Sequence, residues 1–135
     1  MNLDKSQEMA KGENYQLLLK DLSAKLPYGI IGLYSWKNRE PHNRELTGSL
    51  FDELKSSWDS TEDSQFLPYL RLMSSMTEEE KEQWLWLTND SWWGMTERMV
   101  KECIDFLNKN MFDYRGLIEK GLAIAVTEDD NPYKD

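Results

Sequence analysis

The chain has 135 residues, a formal net charge of −9 and a hydrophobic fraction of 39%, with 12% aromatic residues. This length fits one domain over residues 1–135, and the apolar content argues against a wholly disordered chain. The negative charge repels phosphate backbones and anionic membranes, so direct binding to nucleic acid or to a membrane is not expected.

The only cysteine is Cys103, so no disulfide can form within the chain. Residues 1–16 lack the apolar run of a signal peptide, and no stretch approaches the roughly 18 apolar residues of a membrane span. We therefore expect a cytoplasmic protein. The polar ends, 1–12 and 127–135, are expected to be flexible.

The first predicted element is a helix over 13–26 with a single apolar stripe. The stripe consists of Tyr15, Leu18, Leu19, Leu22 and Leu26. Pro27 ends this helix, because the residue before a proline is disfavoured in the α region. Residues 28–36, YGIIGLYSW, then predict a strand in which Gly29 and Gly32 permit a bulge or a close backbone approach. Gly29 can equally form the turn that leaves the helix.

Residues 37–66 give the weakest pattern. NREPHN (38–43) is predicted to be a loop. The candidate strands are RELTGSLF (44–51), SSWDS (56–60) and SQFLPYLRL (64–72). None of them alternates cleanly between apolar and polar residues, and a helical turn over 49–56, SLFDELKS, is an alternative.

The strongest local signal is MTEEEKEQW, which predicts a helix over 78–88. Thr77 is a suitable N-cap, and Glu80 lies three residues later, which is the spacing of a reciprocal capping box. The second half of this helix, WLWL, is apolar on every side, so we expect that end to be buried or occluded. Thr96 can cap a further helix over 96–109. Its apolar residues are expected to form one buried stripe with Phe106 at the edge, and the members of the stripe are Met99, Val100, Cys103, Ile104 and Leu107.

The segment NKNMFDYRGLIEKGLAI (108–124) connects this helix to a predicted short buried strand near 122–126. Such a segment can hold a ligand or lock a helix to a sheet, and we favour the second interpretation. Asn108 or Asn110 can take the left-handed conformation that ends a helix. The residues assigned to this structural connector are Phe112, Asp113, Tyr114, Arg115, Gly116 and Gly121.

The side chains of an extended connector would alternate between two faces. Phe112 and Tyr114 would then share one face. Asp113 and Arg115 would share the other. The four residues that follow Gly116, LIEK, predict a single helical turn.

Three stretches carry a family resemblance. They are LLLKDLSAKLPYG (17–29), LPYLRLMSSMTEEE (67–80) and FLNKNMFDYRGLIEKGLAI (106–124), and together they cover about a third of the chain. They resemble a family of small uncharacterised proteins of gut-associated bacteria and their mobile or prophage-like elements. The family has no established activity, so no site residue is transferred from it. The resemblance implies an intracellular α+β domain whose small antiparallel sheet, here of about three to five strands, lies between the first helix and the later ones.

The residues that most often carry chemistry are sparse in this chain. His42 lies in a polar segment without a second histidine, and Cys103 lies on an apolar helix stripe, where it is expected to belong to the core. One cysteine and one histidine cannot supply four zinc ligands. The acidic run TEDDN (127–131) lacks the glycine and glutamate of a calcium-binding EF-hand loop. We therefore predict no catalytic residue, cofactor or metal site.

Tryptophans concentrate near one helix end, and the four residues are Trp84, Trp86, Trp92 and Trp93. We expect two or three of them in the core and one or two exposed. Trp86, Trp92 and Trp93 are the candidates for contact with a partner, because exposed aromatics anchor interfaces. The predicted function is a small non-enzymatic protein-interaction module with an unidentified protein partner, a homodimer being one form.

Two other functions are consistent with the sequence. The first is an acidic decoy that occupies a nucleic-acid-binding protein by imitating phosphate charge. The second is an enzyme with an unrecognised carboxylate site, because acids near tryptophans occur in glycosidases. The acids that satisfy this pattern are Asp59 beside Trp58 and Asp90 near Trp92.

Overall fold

The computed structural model describes residues 5–36, 40–56, 64–88 and 97–133. Within them the chain forms four α-helices and one four-stranded sheet. The helices are α1 (Lys5–Lys25), α2 (Gly48–Ser56), α3 (Glu78–Thr88) and α4 (Glu97–Lys109). The strands are β1 (Ile31–Trp36), β2 (His42–Glu45), β3 (Ser64–Leu70) and β4 (Ile124–Ala125). The predicted α+β class, with a helix first and a short strand near the C-terminus, is confirmed.

The strands lie in the order β2–β1–β3–β4. Strand β1 pairs antiparallel with both β2 and β3, so that Leu33 lies opposite Asn43 on one side and Leu67 on the other. Strand β4 pairs parallel with β3, with Tyr69 opposite Ile124. The sheet is therefore mixed, and only its first three strands are antiparallel as expected. The long connection through α3 and α4 explains the parallel pair, since it returns the chain to the sheet in the same direction.

Helix α1 begins earlier than the sequence predicts, and a short 3₁₀ turn over Leu26–Tyr28 follows it. Gly29 has a φ of +81° and ends this turn, so it is the exit from the helix rather than a bulge. Gly32 provides the predicted close approach. A Cβ atom there would lie 2.5 Å from the ring of Phe66 in β3.

The predicted loop at 38–43 is wrong at its C-terminal end. His42 and Asn43 belong to β2, and His42 lies opposite Tyr34 of β1. The two rings meet edge to face at a centroid distance of 5.8 Å. All four residues of β2 are exposed, which explains why no apolar alternation marks this edge strand.

The predicted strand at 44–51 is replaced from Gly48 onward by α2, as the alternative of a helical turn over 49–56 anticipates. The Leu50 amide donates a hydrogen bond of 3.1 Å to Thr47 Oγ1, so Thr47 caps the helix. The candidate strand at 56–60 lies outside the described residues, apart from its first position at the end of α2. The candidate strand at 64–72 is confirmed as β3.

Helices α3 and α4 have the bounds that their sequence patterns predict, within one residue. The capping box at the start of α3 is present: Glu80 N donates to Thr77 Oγ1 at 3.1 Å, and Thr77 N donates to Glu80 Oε1 at 2.9 Å. Thr96, the predicted cap of α4, lies outside the described residues.

Apolar side chains form two clusters. The first joins α1, α2 and the sheet, and its buried members are Leu18, Leu22, Ile30, Leu46, Leu50, Leu54, Phe66, Leu70, Met111 and Leu117. The second joins α3 and α4 to the connector, and its buried members are Met76, Phe106, Leu107 and Phe112. The connector supplies residues to both clusters, and it therefore links the two halves of the core.

The end of α4 differs from the prediction, because Met111, rather than either asparagine, takes the left-handed conformation, with a φ of +61°. The amides of Phe112 and Met111 donate to the carbonyls of Leu107 and Asn108, which is the Schellman pattern of helix termination. The Met111 side chain is buried in the first cluster. Burial of this side chain offsets the strain of a left-handed non-glycine residue.

The C-terminal segment returns to the sheet. Strand β4 is shorter than the predicted 122–126, and its residues are half-buried rather than buried. Beyond it, the Tyr133 hydroxyl lies 3.0 Å from the Ile31 amide and 2.7 Å from the Tyr69 carbonyl. Burial raises the pKa of Tyr133. Part of the predicted flexible end at 127–135 is thus attached to two strands.

Candidate functional site

Arg71 fixes the N-terminus of α3 to the rest of the fold. Its guanidinium makes two hydrogen bonds to the Glu80 carboxylate, at 2.6 and 2.7 Å, and lies 4.4 Å from the ring centroid of Phe112. The hydrogen bond from Arg71 holds the pKa of Glu80 below its ordinary value. The orientation of α3 is therefore set by a charge-assisted, bidentate contact.

One face of α3 packs inward. The ring of Trp84 stacks on Phe106 of α4 at 5.9 Å, and Phe106 in turn stacks on Phe112 at 6.1 Å. Leu87 packs against the same cluster, and its carbonyl lies 3.9 Å from the Sγ atom of Cys103. Burial raises the pKa of the Cys103 thiol, which disfavours the nucleophilic thiolate.

The opposite face of α3 is exposed, which contradicts the prediction that the WLWL end is buried or occluded. No residue of α3 is buried, and the exposed fraction is 75% for Trp86 and 63% for Leu85. The helix packs through a single face, and Trp84 and Leu87 already occupy that face. Glu79 and Glu82 precede Trp86 by seven and four residues, so they lie on its side of the helix. We call Glu79, Glu82, Leu85 and Trp86 the outer face of α3.

The tryptophan candidates have different positions. Trp84 is half-buried in the second cluster, and Trp86 is exposed on the outer face. Trp92 and Trp93 lie outside the described residues. The acids proposed for a carboxylate site, Asp59 and Asp90, also lie outside the described residues, as does Trp58 beside Asp59.

The connector residues make dense internal contacts. Phe112 is fully buried, and the Asp113 carboxylate accepts hydrogen bonds from the amides of Leu117 and Ile118, at 2.9 and 3.0 Å. Gly116 has a φ of +76° at the start of the turn 117–120 that was predicted as one helical turn. The Asp113 side chain therefore caps this turn.

Gly121, the last connector residue, ends the same turn with a φ of +76°. Its amide donates to the Ile118 carbonyl, and the Leu122 amide donates to the Leu117 carbonyl, so this turn also ends in a Schellman pattern. Gly116 and Gly121 therefore lie at the two ends of the turn 117–120, as their spacing in the sequence suggests.

Arg115 and Tyr114 enter a buried polar network with α1 and α4. The Asp21 carboxylate accepts from Lys25 Nζ at 2.6 Å and from Arg115 Nε at 3.1 Å. Asn108 Oδ1 accepts from Lys25 Nζ at 3.2 Å and from the Tyr114 hydroxyl at 2.9 Å. The Asp21 and Lys25 side chains are fully buried, and burial lowers the pKa of Lys25.

The alternation predicted for an extended connector is only partly present. Phe112 and Tyr114 do pack against the same cluster. Arg115, however, lies over the ring of Tyr114 at 4.7 Å, and its Nη2 atom donates a hydrogen bond of 2.9 Å to the Tyr114 hydroxyl. The chain bends before Gly116, which turns Arg115 back toward Asp21.

A groove with a volume of about 350 Å³ lies beside α3 and was not predicted. It is bounded by α3, α4 and the turn that contains Tyr28. Leu87 and Phe106 provide apolar lining, while Glu102 and Asp105 provide acidic lining. Glu102 and Asp105 are three residues apart on α4, a spacing that places both on one side of the helix. The groove is created by the packing of α3, α4 and the turn at Tyr28, so no local sequence pattern reveals it.

The described residues contain no grouping of three or more His, Cys, Asp or Glu side chains that could hold a metal ion. Among the helices of that same part of the chain, none is long and apolar enough to cross a membrane. No family model, no curated protein and no solved structure matches the chain. The resemblance to small proteins of gut-associated bacteria and their mobile elements therefore stays a prediction.

Proposed function

We propose that this protein is a small non-enzymatic protein-interaction module, accessory to a mobile element or its host, that binds a protein partner through the outer face of α3. The observation that carries the proposal is the 75% exposure of Trp86 beside Leu85, on a helix whose other face is packed. Aromatic side chains of this kind dominate the energy of protein interfaces.

Exposure of these two side chains is unfavourable for the isolated chain. A tryptophan side chain buries about 200 Å² on full burial, so covering the exposed part of Trp86 is worth roughly 3 kcal/mol. The Trp84 stack and the Arg71–Glu80 contact keep α3 in place, so little of this gain is lost to ordering of the helix. A partner therefore meets a preorganised surface.

Glu79 and Glu82 give the outer face a negative border. The side chain of Trp86 follows them along the helix, and Lys81 is the cation nearest to them in sequence. A partner that presents an apolar pocket with basic residues at its rim complements this arrangement.

The enzyme alternative receives less support from the groove. Glu102 and Asp105 project from the same side of one helix, whereas the carboxylates of a glycosidase flank the scissile bond from two sides. Two acids on one side of a groove suit recognition of a cation better than acid–base catalysis across a bond.

The test uses a photo-crosslinking amino acid in place of Glu82, in the cells that make the protein. We expect a discrete crosslinked product with the parent chain and its loss with Trp86→Ala. The matched control places the crosslinker at Lys55 of α2, which is exposed and remote in sequence from α3. Leu72→Ala is the control substitution, because Leu72 is an apolar residue with 45% exposure outside α3.

Equal crosslinking at positions 82 and 55, or a product that persists in Trp86→Ala, would contradict the proposal. A product of twice the chain mass identifies a second copy as the partner. When the irradiation is repeated in a lysate, a product whose formation is prevented by added duplex DNA and by high salt supports the acidic-decoy function instead.

A further inference from the structure

The groove between α3, α4 and the turn at Tyr28 has a rigid apolar floor. Phe106 is 7% exposed and is stacked between Trp84 and Phe112, and these two contacts hold its ring in place. Leu87 continues the floor along α3. A floor of this kind favours the aliphatic part of a side chain.

The rim of the groove is mainly acidic. Two of its three charged lining residues, Glu102 and Asp105, are acidic, and the third, Lys109, lies one turn beyond Asp105 on the same helix. Glu102 is also 3.3 Å from Arg98, whose side chain is 88% exposed. An exposed pair of this kind is weak, so Glu102 can exchange Arg98 for an incoming cation at little cost.

Tyr28 adds an aromatic side chain to the same groove and is 40% exposed. Aromatic rings attract cations as well as apolar groups. An anionic occupant would meet two carboxylates against the single ammonium group of Lys109, and a neutral apolar occupant would remove those carboxylates from water without a partner. A cation on an aliphatic stem can place its stem on the apolar floor and its charge beside the carboxylates and the ring of Tyr28.

We propose that this groove binds a lysine or arginine side chain of the protein partner, with the stem on Leu87 and Phe106 and the charged group between Glu102, Asp105 and Tyr28. The inference rests on the proposed function, because it identifies a second contact of the same partner. Gln83 lines the groove and lies three residues before Trp86 on α3. The groove and the outer face are therefore neighbours on one helix, and one partner can reach both.

The test uses small probes rather than the partner. Amide proton–nitrogen NMR spectra are recorded during titration with n-butylguanidinium and n-butylammonium, and with n-butylurea as the neutral control. We expect the cations to cause saturable shifts that are confined to Tyr28 and to residues 83–87 and 102–110. The neutral probe, which has the same stem, should bind at least about fivefold more weakly, because it lacks the charge contacts.

The variant that tests the rim is Glu102→Gln combined with Asp105→Asn, which should weaken butylguanidinium binding about fivefold. Glu78→Gln combined with Glu119→Gln removes the same charge from exposed positions outside the groove and should leave binding unchanged. Circular dichroism confirms that both variants fold.

Two results would overturn the inference. One is equal binding of butylurea and butylguanidinium. The other is a set of shifts spread over the acidic residues 78–82 and 127–133, which would show a nonspecific cation atmosphere. Trp86→Ala separates the two proposals, because it should lose the protein partner while it retains binding of butylguanidinium.

Discussion

Gly32 sets how closely β1 and β3 approach each other. A Cβ atom at this position would lie 2.5 Å from the Phe66 ring and 2.8 Å from the Leu67 carbonyl oxygen. Phe66 is buried in the first cluster, so a shift of its ring would disturb the packing of that cluster. We expect Gly32→Ala to lower the free energy of unfolding by about 2 kcal/mol, measured by urea denaturation. Gly48→Ala is the control, since a Cβ there meets nothing within 4 Å, and an equal loss in both variants would contradict this account.

Asp21 and Lys25 form a fully buried ion pair. Asp21→Asn removes the charge that compensates Lys25, and Lys25 remains fully buried, so we expect a loss of about 3 kcal/mol in the free energy of unfolding. Asp21→Leu alone and Lys25→Met alone each leave one charge without its partner. The combined variant leaves neither, so its loss of unfolding free energy should be smaller than the sum of the two single losses. Urea denaturation of all variants measures this coupling. Additive losses would show that the pair contributes no interaction energy.

The contacts of single residues could be predicted only in part from the sequence. Gly32 was recognised as a position of close approach, but its neighbour Phe66 lies 34 residues later and could not be identified. Asp21 and Lys25 have the spacing of an ordinary exposed helix pair. Their burial depends on Arg115 and Asn108, which are separated from them by 94 and 83 residues.

At the scale of elements, the N-terminus of α3 depends on Glu80. Its folded pKa is lowered, so the stability that Glu80 contributes is present above its ordinary pKa of 4.5 and is lost as the pH falls below that value. We expect Glu80→Gln to cost about 1.5 kcal/mol at neutral pH, and the difference from the parent to shrink in acid. Urea denaturation at both pH values measures it.

Glu79→Gln is the matched control for that experiment, because Glu79 is exposed in the same helical turn. It should change stability little at either pH. A loss from Glu80→Gln that stays constant between neutral and acidic pH would contradict the assigned role of the Arg71–Glu80 contact.

Elements with strong local signals could be predicted, and elements defined by their partners could not. A capping box specifies α3 and an apolar stripe specifies α4, and their bounds were predicted within one residue, although Val100 and Ile104 of that stripe are 42% and 41% exposed. Strand β2 is exposed on every residue, so it carries no apolar pattern, and its pairing with β1 alone makes it a strand. The parallel pairing of β4 likewise depends on the path of the whole chain.

At the scale of the molecule, the connector joins the two apolar clusters while α3 leaves one face uncovered. The sequence suggested surplus tryptophans near this helix, and Trp86 is exposed there. The groove was not predicted, because its lining comes from α3, α4 and the turn at Tyr28, which only tertiary packing brings together. The local sequence thus indicates the type of surface, and tertiary packing determines its shape.

The most direct test of the central claim is the affinity of the crosslinked partner, or of a second copy, for the parent chain and for Trp86→Ala, measured by isothermal titration calorimetry. If the outer face of α3 is the binding surface, Trp86→Ala should weaken binding by about thirtyfold or more, as for an interface hot spot, while Leu72→Ala changes it little. Equal affinities for the parent and Trp86→Ala would contradict the account.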